Sequence, residues 1–248
     1  MDNVVCILGG IIAPSTCDWY GHSALVFFFA GCNWRCPFCF NHEIIPMHGK
    51  KYSDDKLYKI IKQNKSCCDA VVLTGGEPTL QDQGCEGILR MAKDAGYKTM
   101  LNTNGSQPMV ILDLVEAGLV DKIAMDVKAP FFTLEYQEMT GTKDPWLHTT
   151  IVNTIHLINK LDVPIELRTT AVKGTYSYDK HLYSLIDQIS TLTTEWHLQQ
   201  FDDADCLDKS LKGKVPTREE LLPFAQYAKF KGIPKVVLKT KLGGMEII

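Results

Sequence analysis

Runs that read as strands alternate with runs that read as helices along nearly the whole chain, and this constrains the fold more than any other feature. Val4 to Ile12 reads as a short strand and Ser23 to Phe29 as a strongly apolar one. Ser53 stands as the N-cap of a helix to about Gln63. Ala70 to Thr74 is a buried strand running into Gly75-Gly76-Glu77-Pro78, and a helix from about Gln81 to Ala95 stops at Gly96. Strands at Lys98 to Asn102 and Asp121 to Val127 flank a helix at Pro108 to Ala117. Helical patterns cover Thr133 to Thr140 and His148 to Leu161. A strand at Pro164 to Ala171 precedes a helix at Asp179 to Leu192, and Glu195 to Phe201 is a strand again. Thr217-Arg218-Glu219-Glu220 opens a helix to Lys231 as a capping box, and Lys235 to Thr240 reads as the last strand. Roughly six or seven β-then-α units require a parallel sheet covered by helices. Right-handed crossovers leave a doubly wound sheet or a partial or full (β/α) barrel, and periodicity does not choose between them.

Composition bounds the remaining choices. The 248 residues, 45% hydrophobic, suit a single domain over 1–248. Its core is expected at about 23–201, with a C-terminal loop, helix and strand over 202–248. With 26 basic and 29 acidic residues the net charge is -3, so no basic surface points to nucleic acid. The apolar stretch Ala24 to Gly31 is too short to span a bilayer, and Met1-Asp2-Asn3 lacks a basic leader. The expectation is a cytoplasmic chain without a membrane partner. Nine cysteines there mean metal or redox chemistry rather than disulfides.

Three of them, Cys32, Cys36 and Cys39, form a C-x-x-x-C-x-x-C triplet. Three thiolates that close together can hold three irons of a [4Fe–4S] cluster, leaving the fourth iron open to a ligand. Zinc is the alternative, with His42 or His48 as fourth ligand. The remaining histidines offer no spaced metal pair. Other polar motifs also stand at strand ends: Gly75-Gly76-Glu77-Pro78, Asn102-Thr103-Asn104-Gly105 and Asp126-Val127-Lys128. Arg168 lies on the next strand and Gln199-Gln200 near the end of the one after. Strand ends that converge on one face are where barrel active sites lie. Gly75 and Gly76 allow a sharp turn that exposes amides and carbonyls able to bind an amino-acid ammonium; the plainer reading is a tight βα turn.

The cysteine triplet followed by Gly-Gly-Glu-Pro resembles the radical SAM superfamily. That resemblance implies a partial or full (β/α) barrel with one [4Fe–4S] cluster on Cys32, Cys36 and Cys39. It implies S-adenosylmethionine (SAM) chelating the open iron, reductive cleavage of its sulfonium, and a 5′-deoxyadenosyl radical that abstracts hydrogen. Within the superfamily the chain looks most like activating enzymes of glycyl radical enzymes. Cys36-Pro37-Phe38-Cys39-Phe40-Asn41 matches their Cys-Pro-Tyr-Cys-His-Asn, with Phe40 in place of histidine. Their Asp-Thr-Asn-Gly is Asn102-Thr103-Asn104-Gly105 here, which lowers the charge at a monovalent-cation site. Their Leu-Asp-Leu-Lys is Met125-Asp126-Val127-Lys128.

By this resemblance Phe38, Gly75, Gly76, Glu77, Asn102, Asp126, Lys128, Arg168 and Gln200 are the candidate SAM contacts. For Arg168 the structural alternative is an ordinary salt bridge. Where the family has Tyr-His, the chain has Phe201-Asp202, so Asp202 either replaces that ligand or begins the long polar loop to Pro216, a mobile segment or a lid. No ferredoxin-like insertion separates Asn41 from Gly75, and the other six cysteines are scattered. Cys67-Cys68 reads as buried thiols before it reads as a redox pair. The pattern is most similar to activating proteins of anaerobic ribonucleoside-triphosphate reductase. The implied partners are that glycyl radical enzyme and a flavodoxin- or ferredoxin-like electron donor. Two alternatives stay open: a radical SAM enzyme acting directly on a small molecule or peptide, and a non-catalytic iron–sulfur or zinc module.

Overall fold

A computed structural model of the chain describes residues 4–248; the reading of Met1-Asp2-Asn3 lies outside the described residues. Its backbone groups into two compact units. One comprises the described residues through Asn33, with Glu43–Ala124 and Leu161–Pro164. The other comprises Trp34–His42, Met125–Lys160 and Ile165–Ile248.

In the first unit the strands are β1 (Val4–Ser15), β2 (Ala24–Phe29), β3 (Lys50–Ser53), β4 (Ala70–Gly75) and β5 (Lys98–Thr103), ordered β5-β4-β2-β1-β3. Helices α1 (Asp54–Asn64), α2 (Asp82–Asp94) and α3 (Pro108–Glu116) supply the crossovers. β2, β4 and β5 are parallel, as the βα alternation requires. Because such strands are covered on both faces, they read as continuous apolar runs, and Ala24, Leu25, Val26, Phe27 and Phe29 are all wholly buried. Ala24, Ala70 and Ala124 keep one face shallow, and Val26, Val72 and Met100 fill it.

Strand β6 (Lys122–Asp126) begins in the first unit and ends in the second. The second unit continues with α4 (Thr133–Thr140), α5 (Leu147–Ile158), β7 (Ile165–Ala171), α6 (Asp179–Ile189), β8 (Glu195–Gln200), α7 (Arg218–Phe230), β9 (Lys235–Thr240) and β10 (Gly244–Ile247). β7, β8 and β9 are parallel neighbours. α6 buries Leu182, Leu185, Ile186 and Ile189, the one-face spacing of an amphipathic helix. Each such side chain contributes about 1.5–3 kcal/mol on leaving water. Trp196 on β8 is wholly buried and its indole N–H donates to Thr169 Oγ1 at 3.0 Å.

The expected parallel α/β architecture is borne out, with three corrections. β1 extends to Ser15 and runs antiparallel to β2 and to β3, a strand the periodicity does not show. β9 is not the last strand: β10 folds back on it, pairing Gly244 with Thr240. α7 carries the expected capping box, whereas Ser53 precedes α1 without a side-chain cap bond. Among the described residues no helix is long and apolar enough to cross a membrane.

Candidate functional site

In the first unit, Gly75 ends β4 at φ +120°, and a Cβ there would lie 2.4 Å from the amide nitrogen of Phe29. At Gly76 a Cβ would meet the carbonyl oxygen of Gly31 at 2.0 Å. Two glycines are therefore needed for the turn to pass against the segment that carries Cys32. The Glu77 amide closes this approach by donating to Gly31 O at 2.8 Å.

The Glu77 side chain, expected as a SAM contact, is instead wholly enclosed. Its Oε1 accepts from Thr79 N (3.1 Å), Thr79 Oγ1 (2.6 Å) and Thr103 Oγ1 (2.8 Å), and its Oε2 accepts from Asn104 N (2.6 Å). Burial raises its pKa above the ordinary carboxylate value, against the pull of these hydrogen bonds. The carboxylate thus ties the turn after β4 to the turn after β5.

Asn104 extends the ties. Its Nδ2 donates to Asn33 Oδ1 at 3.0 Å, and Asn33 Nδ2 donates to Ser106 Oγ at 2.8 Å. The residue after Cys32 is thereby anchored to the turn after β5. Asn33 and Ser106 carry no sequence signal beyond their nearness to the two motifs. Asn102 differs from its neighbours: its Oδ1 is buried and, among the described residues, has no hydrogen-bond partner. A buried acceptor left unpaired is costly, and it is the position where a donor from a ligand would be compensated.

In the second unit, Cys36 and Cys39 sit in the loop Trp34–His42, where Cys39 N donates to Cys36 O at 3.0 Å. The loop is braced from two sides. Arg35 N donates to Thr140 O at the end of α4 (2.7 Å), and Trp34 meets Tyr136 edge-on. Gly141 passes so close that a Cβ would lie 2.6 Å from Arg35 O. On the other side Asp208 N donates to Pro37 O at 2.8 Å, and His42 Nε2 meets Asp205 at 3.1 Å. The segment from Asp202 to Pro216 is therefore an anchored wall. With Tyr176, Tyr178 and His181 it encloses a cleft of about 810 Å³ that reaches Pro37. Asp202 begins this loop, accepting from Ala204 N and pairing with Lys241.

Lys128 lies beside the same cysteines. Its Nζ donates to Asp126 Oδ2 at 2.9 Å and stands 5.3 Å from the centre of the buried Phe38 ring. Burial by itself would lower the pKa of this ammonium; Asp126 and the sulfurs of Cys36 and Cys39 outweigh it and hold the group above the usual lysine value. The Cys39 thiol is raised by burial, with Lys128 acting in the opposite direction.

Val127 N donates to Arg168 O at 2.8 Å, which sets the Asp126-Val127-Lys128 segment beside β7. The Arg168 guanidinium donates through Nε to Glu166 Oε1 at 2.6 Å, and its Nη2 contacts the same oxygen. Gln200 does not join this group: its Nε2 donates to Pro216 O and its Oε1 accepts from Lys241 N. Strand alternation puts Gln199, not Gln200, on the face of β8 that carries His197.

The family model for the radical SAM superfamily matches residues 26–189. A protein of Methanocaldococcus jannaschii that carries the name glycyl-radical enzyme activating enzyme is 32% identical over 247 residues, covering 97% of this chain and 99% of its own length. The pyruvate formate-lyase 1-activating enzyme of Escherichia coli is 28% identical over 189 residues, 72% of this chain and 74% of its own. Among solved structures, a domain of a pyruvate-formate lyase-activating enzyme from Bacteroides vulgatus superposes with TM-score 0.56 at 16% identity. The match covers 69% of this chain and 99% of that one, a likeness of fold.

Proposed function

The chain belongs to the radical SAM superfamily and, within it, to the glycyl-radical enzyme activating enzymes; from that premise we propose that it abstracts hydrogen from a backbone glycine of anaerobic ribonucleoside-triphosphate reductase. The observation that carries the activase reading is the full-length similarity to the Methanocaldococcus jannaschii protein, which leaves no large part of either chain unmatched. The choice of reductase rests on the resemblance of the opening Trp19-Tyr20-Gly21-His22, the Gln199-Gln200-Phe201 strand end and the Thr217-Arg218-Glu219-Glu220 helix start to that type.

The superfamily implies a [4Fe–4S] cluster and SAM, and the residues present fit both. Cys32, Cys36 and Cys39 are three thiols within eight consecutive residues, suited to three of four irons. Asn102 offers a buried acceptor without a partner. Together the two groups supply the hydrogen-abstracting radical when bound. The protein's own part is to hold and orient them.

In the first unit, the turn at Gly75 and Gly76 would offer its backbone carbonyls, Asn102 offers its Oδ1, and the Glu77 carboxylate keeps that turn rigid. In the second, Phe38 shields the cysteine loop from water. Lys128 provides a fixed positive charge, held by Asp126, to an anionic ligand group. Arg168 offers a second. A flavodoxin- or ferredoxin-like protein supplies the electron.

Mixing reduced, reconstituted protein with SAM and the reductase should yield 5′-deoxyadenosine and a glycyl radical signal by electron paramagnetic resonance. Changing the reductase's radical glycine to alanine should abolish the signal. Consumption of a small molecule, with no signal from any glycyl radical enzyme of the same organism, would reject the proposal.

A further inference from the structure

Five ionisable side chains form a row across β7, β8 and β9. Register sets Arg168 beside His197 and Glu195 beside Lys235, and the ladder carried back one residue sets Glu166 beside Glu195. Two carboxylates facing each other in a sheet repel. The row resolves this. His197 Nε2 lies 2.7 Å from Glu195 Oε1 and 3.5 Å from Glu166 Oε2. Lys235 Nζ meets Glu195 Oε1 at 2.9 Å, and Arg168 meets Glu166 at its other oxygen, Oε1.

Because Nε2 faces two carboxylates, it carries the proton: a lone pair there would meet two anionic oxygens. His197 and Glu166 have side chains only 6% and 3% exposed, so neither relaxes into water. The three acceptor-bearing groups could also gather a divalent cation, since their ligand atoms lie within 4.8 Å of one another. Arg168 and Lys235 argue against it. They already neutralise both carboxylates, and a dication would leave uncompensated positive charge in a buried place.

What the row does is clamp one edge of a guanidinium. Nε and Nη2 of Arg168 are committed to Glu166. Among the described residues its Nη1 has no hydrogen-bond partner. An arginine so held presents its remaining edge to a carboxylate in one orientation. We propose that His197 is a positioning residue: its Nε2–H, hydrogen-bonded to Glu195, stands 3.5 Å from Glu166 Oε2 and steadies that carboxylate by its positive edge, and through Glu166 it aims Arg168 at the carboxylate of SAM. This rests on the reading of Arg168 as a SAM contact.

The test is the dissociation constant for SAM, measured by anaerobic equilibrium dialysis on reconstituted protein, with iron content and thermal unfolding alongside. Arg168→Gln should weaken binding about tenfold and His197→Phe roughly fivefold, with iron content unchanged. His197→Gln, which keeps an N–H near the Nε2 position, should stay within about twofold of the parent. Arg168→Gln combined with His197→Phe should be no weaker than Arg168→Gln alone, because both remove one coupled device. If His197→Phe does not fold, Glu195→Gln serves in its place, with a loss of roughly threefold.

Equal losses in His197→Phe and His197→Gln would mean packing and would overturn the inference, as would multiplying effects in the double variant. So would stoichiometric uptake of zinc or manganese that Glu195→Gln abolishes. Unchanged affinity in Arg168→Gln would instead remove the underlying reading of Arg168, an outcome separate from a failure at His197 alone.

Discussion

Replacing Glu77 by glutamine tests whether the turn after β4 is held by its carboxylate. The substitution keeps volume and shape but turns one acceptor oxygen into a donor. Each oxygen of Glu77 accepts from a backbone N–H, Oε1 from Thr79 and Oε2 from Asn104. Whichever way the amide is turned, its NH₂ faces one of those N–H groups, and that donor is left unpaired in a site without solvent access. The cost is about 2 kcal/mol. For a chain of this length that is a fall in Tm of about 4–8 °C.

The pH dependence has a definite sign. Burial raises the Glu77 pKa in the folded chain. Its stabilising contribution is therefore complete below the unfolded value of about 4.3 and is lost as pH rises through the folded value. Protonated Glu77 can still accept at both oxygens, which glutamine cannot. The deficit of Glu77→Gln should be largest at acidic pH and should narrow toward neutrality. Thermal unfolding of cluster-free protein, wild type against variant from pH 5 to 8, measures both quantities. An unchanged Tm at pH 5, or a deficit that widens with rising pH, would refute the role assigned to Glu77.

Reconstitution of the wild type should give about four irons per chain. Alanine at Cys32, Cys36 or Cys39 should abolish uptake while alanine at Cys67, Cys68 or Cys206 should not; iron analysis with absorption spectra decides, and a stable zinc site without iron would reject the ligand set. Lys128→Ala and Asp126→Asn should lower SAM cleavage at least tenfold with Tm reduced by only a few degrees, since the pair is partly open to ligand; normal cleavage in both would show that the two residues serve only each other. Gly76→Ala should cost more than about 3 kcal/mol, because the added methyl meets backbone rather than a movable side chain; a soluble variant with wild-type Tm would show that the turn has room.

Much of this molecule was legible in order along the chain. Apolar runs at β2, β4 and β5, the helix stripe of α6 and the capping box of α7 are written in residues a few positions apart, so local pattern suffices to read them. The cysteine triplet is likewise a short-range fact, and its chemistry follows from the ligand set. What local pattern could not supply were features whose partners lie far off in sequence. β3 (Lys-Lys-Tyr-Ser) and β10 (Gly-Met-Glu-Ile) are short and half polar; they are strands because β1 and β9 offer them a ladder. Glu77 reads as a motif residue facing a ligand until Thr103 and Asn104, 26 and 27 positions away, are seen to close on its carboxylate. Gln200 reads as a strand-end contact until alternation and Lys241 turn it the other way. Glu166, Glu195 and His197 lie on two strands separated by a helix, and only the pairing of β7 with β8 makes them one row. A side chain's type limits the bonds it can make, but strand register decides which distant group is near enough to make them.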